Sequence, residues 1–187
     1  SFSIKGVDQY CYFFNSLNDL SKLKNVLQTY SNNSSKSKCF IVGGGPSGVE
    51  IACKINDIYE NQFDINIIER SNEILSRNKI FNREEAEKAL ENRKINVFLN
   101  TTVKEVSKKE IIISNNKGTV NLDKDIVIWT AGVKPNLSYV FENIPEINGR
   151  IVVNNKFQIE KNTNSFAIGD ISIIKGMEDL PLTAQLA

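Results

Sequence analysis

The chain has 187 residues, 41% of them hydrophobic and 24% charged, with 23 basic against 22 acidic side chains and no histidine. A net charge of +1, with basic and acidic residues interleaved, gives no field to hold a phosphate backbone, so nucleic acid is not an expected partner. The lack of histidine removes the commonest general base, the Ser-His and Cys-His nucleophile systems and most zinc sites, so hydrolase chemistry loses its weight and no metal centre is expected. Cys11, Cys39 and Cys53 are odd in number and form no C-x-x-C pair, which argues for a reducing compartment and against a disulfide framework. No apolar run reaches the about 18 residues needed to span a bilayer as a helix. The chain starts at Ser1 and stops within PLTAQLA without a helix-ending signal, so it reads as a piece of a longer protein.

Residues 1–15 carry no helical period. Ser16 and Asp19 ahead of Leu20, Leu23 and Leu27 predict an N-capped amphipathic helix ending near Tyr30. The polar stretch 31–38, SNNSSKSK, reads as a linker, and a domain is expected to start at about Lys38, where the composition switches to the apolar strand CFIV. After GGGPSG, a helix places Val49, Ala52, Cys53 and Ile55 on its buried side. A second strand runs from Ile65 to Glu69, and Asn82 with Glu85 in capping-box register introduces another helix carrying Ala86, Ala89 and Leu90. From Ile95 the pattern shortens to INVFL, TTVKEV, EIIIS, an NNKG turn, TVNL and DIVIWTAG, strands joined by tight turns. RIVVN, SFAIGD and PLTAQLA complete the chain. The expected class is α/β, a Rossmann-like parallel sheet with a β-meander insertion.

Gly43, Gly45 and Gly48 make G-x-G-x-x-G, a spacing that is weak on its own. Here the run follows a strand, opens a helix, sits in a βαβ unit and leads to Glu69, 21 positions after Gly48 at the end of the next strand. In that setting the three glycines serve different ends. Gly43 permits a tight turn, Gly45 lets backbone approach a pyrophosphate, and Gly48 allows close packing of helix on strand. Gly44, Pro46 and Ser47 stand where the helix starts, and the backbone N–H groups there, which Pro46 lacks, are then set to receive the anion. Glu69 would accept hydrogen bonds from an adenosine ribose and repel a 2′-phosphate, favouring NADH over NADPH, while its neighbour Arg70 is able to turn toward such a phosphate. Ala131 and Gly132 end the strand DIVIW in small residues that let a ligand approach, or form a plain strand exit. Gly169 and Asp170 run from strand to glycine to acid, fitting either a sugar hydroxyl or the N-cap of a helix. Glu50 is placed in the first helical turn, where a helix-dipole role is the simpler account, and Trp129 is expected in the core.

Taken together, IVGGGPSGVEIA, FNREEAEKAL, DIVIWTAGVKPN, FAIGDIS and PLTAQLA resemble the two-dinucleotide-domain flavoprotein oxidoreductases, and within them the type II NADH:quinone oxidoreductases of the plant and cyanobacterial type. The resemblance implies an FAD that takes hydride from NAD(P)H and passes electrons to a membrane quinone. It assigns Gly43, Gly45 and Gly48 to the NADH pyrophosphate, Glu69 to its ribose, and Ala131 with Gly132 to the nicotinamide side. It further implies that Glu50 stands beside nicotinamide and flavin, that Gly169 and Asp170 contact the FAD ribityl chain, and that Gln185 lies near the isoalloxazine and quinone. On this basis 1–37 would end an FAD-domain segment, 38–135 would form the NAD(H)-binding domain, and 136–187 would return to the FAD domain. The family's own FAD glycine fingerprint and membrane-docking segment are not in the sequence, so weak to moderate NADH binding without a stable flavin is expected of these residues alone. The parent would associate peripherally with an energy-transducing membrane, and a homodimer is among its expected states. Other readings are a ferredoxin or disulfide reductase or NADH peroxidase of the same superfamily, a non-catalytic NADH-binding module, and an S-adenosylmethionine methyltransferase.

Overall fold

The structure is a computed structural model and describes residues 4–60, 62–132, 144–147 and 149–177. They divide after Gly132 into two compact units. The first contains, in chain order, α1 (Val7–Tyr10), β1 (Tyr12–Phe13), α2 (Leu17–Ser31), β2 (Ser37–Val42), α3 (Pro46–Tyr59), β3 (Phe63–Ile68), α4 (Ile80–Asn92), β4 (Asn96–Phe98), β5 (Thr102–Val106), β6 (Glu110–Asn115), β7 (Gly118–Asp123) and β8 (Ile126–Trp129).

Strands β1, β8, β2, β3 and β4 form, in that spatial order, a sheet whose neighbours are all parallel. Successive side chains alternate across it. Cys39, Ile41, Ile65, Ile67, Ile126 and Ile128 meet Leu23 and Leu27 of α2, Val49, Ala52 and Ile55 of α3, and Leu90 of α4. On the opposite face Phe40, Val42, Ile68, Val127 and Trp129 meet Val103, Val106, Ile111 and Ile113. Those last four belong to β5 and β6 of a three-stranded antiparallel sheet, β5-β6-β7. The meander thus covers the face that the helices leave open, and burial on both faces explains why CFIV and IVIW are unbroken apolar runs rather than alternating ones.

Helix α2 begins as the spacing predicts. Ser16 is the N-cap, and its Oγ accepts the Asp19 N–H at 3.1 Å. Replacing Ser16 by Ala is expected to cost about 1 kcal/mol of stability, the usual worth of a serine cap, measured by denaturant unfolding; an unchanged midpoint would show that water serves the helix end equally well. Because Leu23 and Leu27 enter the same core as the sheet, the expected division at 37/38 is not a break in packing. The polar stretch that follows is a short connection: Ser37 Oγ donates to the Tyr30 carbonyl at 3.1 Å, and the Asn33 amide donates to Ser37 Oγ at 2.9 Å.

Two local expectations are corrected. Helix α4 starts at Ile80 with Lys79 as its N-cap, and no side chain caps it. The Lys79 carbonyl already accepts the N–H groups of Asn82 and Arg83, so Asn82 lies inside the first turn and cannot serve as a cap. The N-terminal stretch read as lacking helical period contains α1 and the edge strand β1.

The second unit holds β9 (Glu146–Ile147), β10 (Arg150–Val153), β11 (Gln158–Ile159), β12 (Asn162–Phe166) and β13 (Ser172–Ile174). They form a sheet in the order β12-β11-β10-β13, with β9 also on β10, around Ile151, Val153, Ile159 and Ala167. Among the described residues no helix is long and apolar enough to cross a membrane.

Candidate functional site

From β2 the chain moves outward through β3 and β4, then returns as β8 on the other side of β2. The strand order therefore reverses between β2 and β8. In open α/β sheets, ligands bind in the crevice outside the carboxyl ends of the strands at such a reversal. The residues that leave these two strands are Gly43 and Thr130, and they touch.

Gly43 has φ +116°, a conformation that side chains resist. A Cβ there would lie 2.9 Å from Thr130 Oγ1 and 3.0 Å from the Ala131 nitrogen. A Cβ on Gly48 would lie 1.9 Å from the Gly43 carbonyl oxygen, so only a glycine lets α3 sit this close to the turn. At Gly45, by contrast, a Cβ would find no atom within 4 Å. The absence of a side chain at Gly45 serves no packing within the protein; it leaves open the space in front of the helix. Helix α3 starts directly at Pro46, whose missing N–H is no loss at that position, and no side chain caps it. Pro46 and Ser47 are exposed. The helix end thus presents backbone N–H groups and the positive end of its dipole to the same open space, the arrangement that receives phosphate.

Glu69 follows β3 and is half-buried. Its Oε2 accepts the Gly44 N–H at 2.6 Å and its Oε1 accepts the Ser71 N–H at 2.8 Å. The Gly44 carbonyl in turn accepts the Leu75 N–H at 2.9 Å, so both backbone groups of Gly44 are engaged within the protein. The donors left for an anion are those beyond it, from Gly45 onward. An ionised carboxylate has about four lone-pair positions, so Glu69 can hold the loop and still accept from a pair of sugar hydroxyls. Arg70 is exposed.

Trp129 is 5% exposed, packs in the core between the two sheets, and its indole N–H donates to the Ala131 carbonyl at 2.9 Å. Ala131 and Gly132 lie just past β8, with Gly132 at φ +72°. Glu50 is exposed and is the fifth residue of α3, past the first turn in which the sequence pattern set it. In the second unit, Gly169 and Asp170 form a 3₁₀ turn (Gly169–Ile171) whose N-cap is Ile168, so Asp170 caps no α-helix. Asp170 is exposed, and Ser172 Oγ donates to the Gly169 carbonyl at 3.0 Å. Gln185 lies outside the described residues. Burial, above all, pushes the thiols of Cys11 and Cys39 up to about 12, so neither is a thiolate near neutral pH. The structure therefore gathers Gly43, Gly44, Gly45, Gly48, Glu69 and Ala131 at one strand-end crevice. Sequence reasoning missed Thr130, which stands between two glycines of the motif and hydrogen-bonds the end of β2.

A parallel sheet that reverses order at a glycine turn, with a helix N-terminus and a strand-end carboxylate around the opening, defines a Rossmann-like dinucleotide-binding class, here with the meander where a doubly wound sheet has its second layer of helices. The pattern of the pyridine nucleotide-disulphide oxidoreductases matches residues 1–187, and the chain belongs to that family. Demethylphylloquinone reductase NdbB of Synechocystis sp. is 33% identical over 172 residues, which cover 90% of this chain and 42% of the relative. The external alternative NAD(P)H-ubiquinone oxidoreductase B3, mitochondrial, of Arabidopsis thaliana is 25% identical over 209 residues, covering 96% of this chain and 36% of the relative. Among solved structures, NDH2 from Plasmodium falciparum in complex with NADH superposes with a TM-score of 0.76 at 25% identity, over 93% of this chain and 42% of that one. The chain thus spans less than half the length of these proteins.

Proposed function

We propose that this chain is the NADH-binding portion of a flavin-dependent NAD(P)H:quinone oxidoreductase. The observation that carries the reading is the unfilled space at Gly45, bounded by the uncapped start of α3 and by the Glu69 carboxylate. These fit a dinucleotide: Gly45 and Ser47 offer N–H groups to the pyrophosphate, Glu69 takes the adenosine ribose, and Ala131 and Gly132 leave room on the nicotinamide side. When bound, the nicotinamide supplies a hydride and the parent's FAD receives it; the residues here bind and orient. Glu50 and Gln185 as residues near the reacting rings, and Gly169 with Asp170 as flavin contacts, complete the proposed assignment. The names of the relatives support a quinone as acceptor. Peripheral association of the parent with an energy-transducing membrane is part of the same proposal, as is a homodimeric parent. Membership of the oxidoreductase family sets the methyltransferase reading aside.

Calorimetric titration with NADH and NADPH tests it. NADH is expected to bind more tightly than NADPH, and Glu69→Ala to weaken NADH by roughly tenfold to a hundredfold, the worth of hydrogen bonds to a charged group. The same substitution should narrow the difference between the two cofactors, because the charge that repels a 2′-phosphate is gone. Equal affinities in the wild type, or an unchanged ratio in Glu69→Ala, would remove Glu69 from the ribose site.

A further inference from the structure

We infer that Thr130 is a positioning residue for the cofactor loop, acting by clamping the peptide that joins Gly43 to Gly44; the inference rests on the NADH reading above. The Thr130 N–H donates to the Val42 carbonyl at 2.9 Å, continuing the sheet one step past β8. Its hydroxyl then lies 3.0 Å from the same Val42 oxygen and 3.3 Å from the Gly43 oxygen, so one hydroxyl proton serves the last two carbonyls of the β2 exit. The Gly43 oxygen is also the atom against which Gly48 packs. Its direction is therefore set from two sides, toward Thr130 and toward α3.

A trans peptide is planar, and its C=O and N–H point opposite ways. When the Gly43 carbonyl is held toward Thr130, the Gly44 N–H must face away from it, and it does, donating to Glu69 Oε2 at 2.6 Å. One peptide plane is thus gripped by a donor just past β8 and an acceptor just past β3, the two strands that flank β2. Glycine on both sides leaves this peptide without the steric barriers that fix other residues, so hydrogen bonds must do it. A rotated peptide would turn Glu69 loose from the loop and shift Gly45, the residue at the opening. Thr130 touches no cofactor in this scheme. It sets the angle at which Gly45 and the start of α3 face the pyrophosphate.

The test compares Thr130→Val, which keeps the shape and removes the hydroxyl, with Thr130→Ser, which keeps the hydroxyl, in the 187-residue chain. NADH affinity measured by calorimetry is expected to fall roughly threefold to tenfold in Thr130→Val and to be restored in Thr130→Ser. The Gly44 amide should exchange with solvent faster in Thr130→Val, while amides in β2 and β3 keep their protection; loss of packing alone would move all of them together. If Thr130→Val does not fold, Thr130→Ala makes the same comparison. A folded Val or Ala variant with wild-type NADH affinity and wild-type Gly44 exchange overturns the inference and leaves the NADH reading standing. A wild-type chain that binds no NADH overturns the NADH reading and the cofactor-positioning role together, a result distinct from the first.

Discussion

Gly45→Ala is expected to separate binding from folding: NADH affinity falls by at least about tenfold, the scale of forcing extra atoms into a filled site, while stability hardly moves. The backbone at Gly45 has φ −77° and ψ −179°, which alanine adopts without strain, and its Cβ would meet nothing within 4 Å. Two small effects on stability oppose each other. Alanine is a poorer N-cap than glycine by roughly 0.5–1 kcal/mol, and replacing glycine restricts the unfolded chain by roughly 0.4–1 kcal/mol in favour of the fold. Thermal unfolding should therefore give a midpoint close to the wild type, and calorimetry a lost or weakened NADH signal. Wild-type NADH affinity in this variant would mean that the opening at Gly45 is not where the pyrophosphate lies.

Gly48→Ala should do the reverse and act on the fold first. Its Cβ would stand 1.9 Å from the Gly43 oxygen and 3.0 Å from Thr130 Oγ1. The first of these is backbone, held by the hydrogen bonds at the β2 exit, so α3 or the turn must move. Helix propensity alone favours alanine over glycine by about 1 kcal/mol. Overpacking at a rigid contact costs about 3 kcal/mol, so a net loss of about 2 kcal/mol is expected in denaturant unfolding. NADH binding should fall with it, because the turn that shifts is the one the cofactor uses. A stabilised Gly48→Ala would show that the turn yields without cost and that close packing is not what requires glycine there.

The parts of this fold that are legible in the sequence are those whose physics is local. The glycine spacing dictates a turn into a helix, and Ser16 with Asp19 dictates a cap; both stand in the structure. The strands of the meander can be read as short apolar runs between turns, as in EIIIS before NNKG, but not the face they cover, which depends on the sheet they meet, nor the irregularity in β5 that puts Val103 and Val106, three residues apart, into the same core. Strand β1 is illegible because two residues, Tyr12 and Phe13, show no period; it exists only because β8 offers an edge to pair with. At α4, Asn82 and Glu85 offer a capping box that the chain does not use, since the carbonyl of Lys79 starts the helix earlier. At the site, Glu69 is readable from its distance to the glycines, whereas Thr130 is not: its importance comes from standing beside β2, a neighbour 88 residues away in the chain.

The position of β8 also sets an order of assembly. This strand lies between β1 and β2 and is the last to be made in the first unit, so Tyr12 waits for Ile128 and Cys39 for Ile126. Pairings this distant in the chain must close long loops before they return any free energy, which slows folding and leaves the partners exposed meanwhile. During synthesis β2 and β3 can pair with each other, and the meander can form, while the β8 side of β2 stays open until Trp129 has left the ribosome. An apolar strand with one unoccupied edge invites pairing with another chain, so the interval before β8 arrives is when the nascent protein is most exposed to aggregation and most in need of a chaperone.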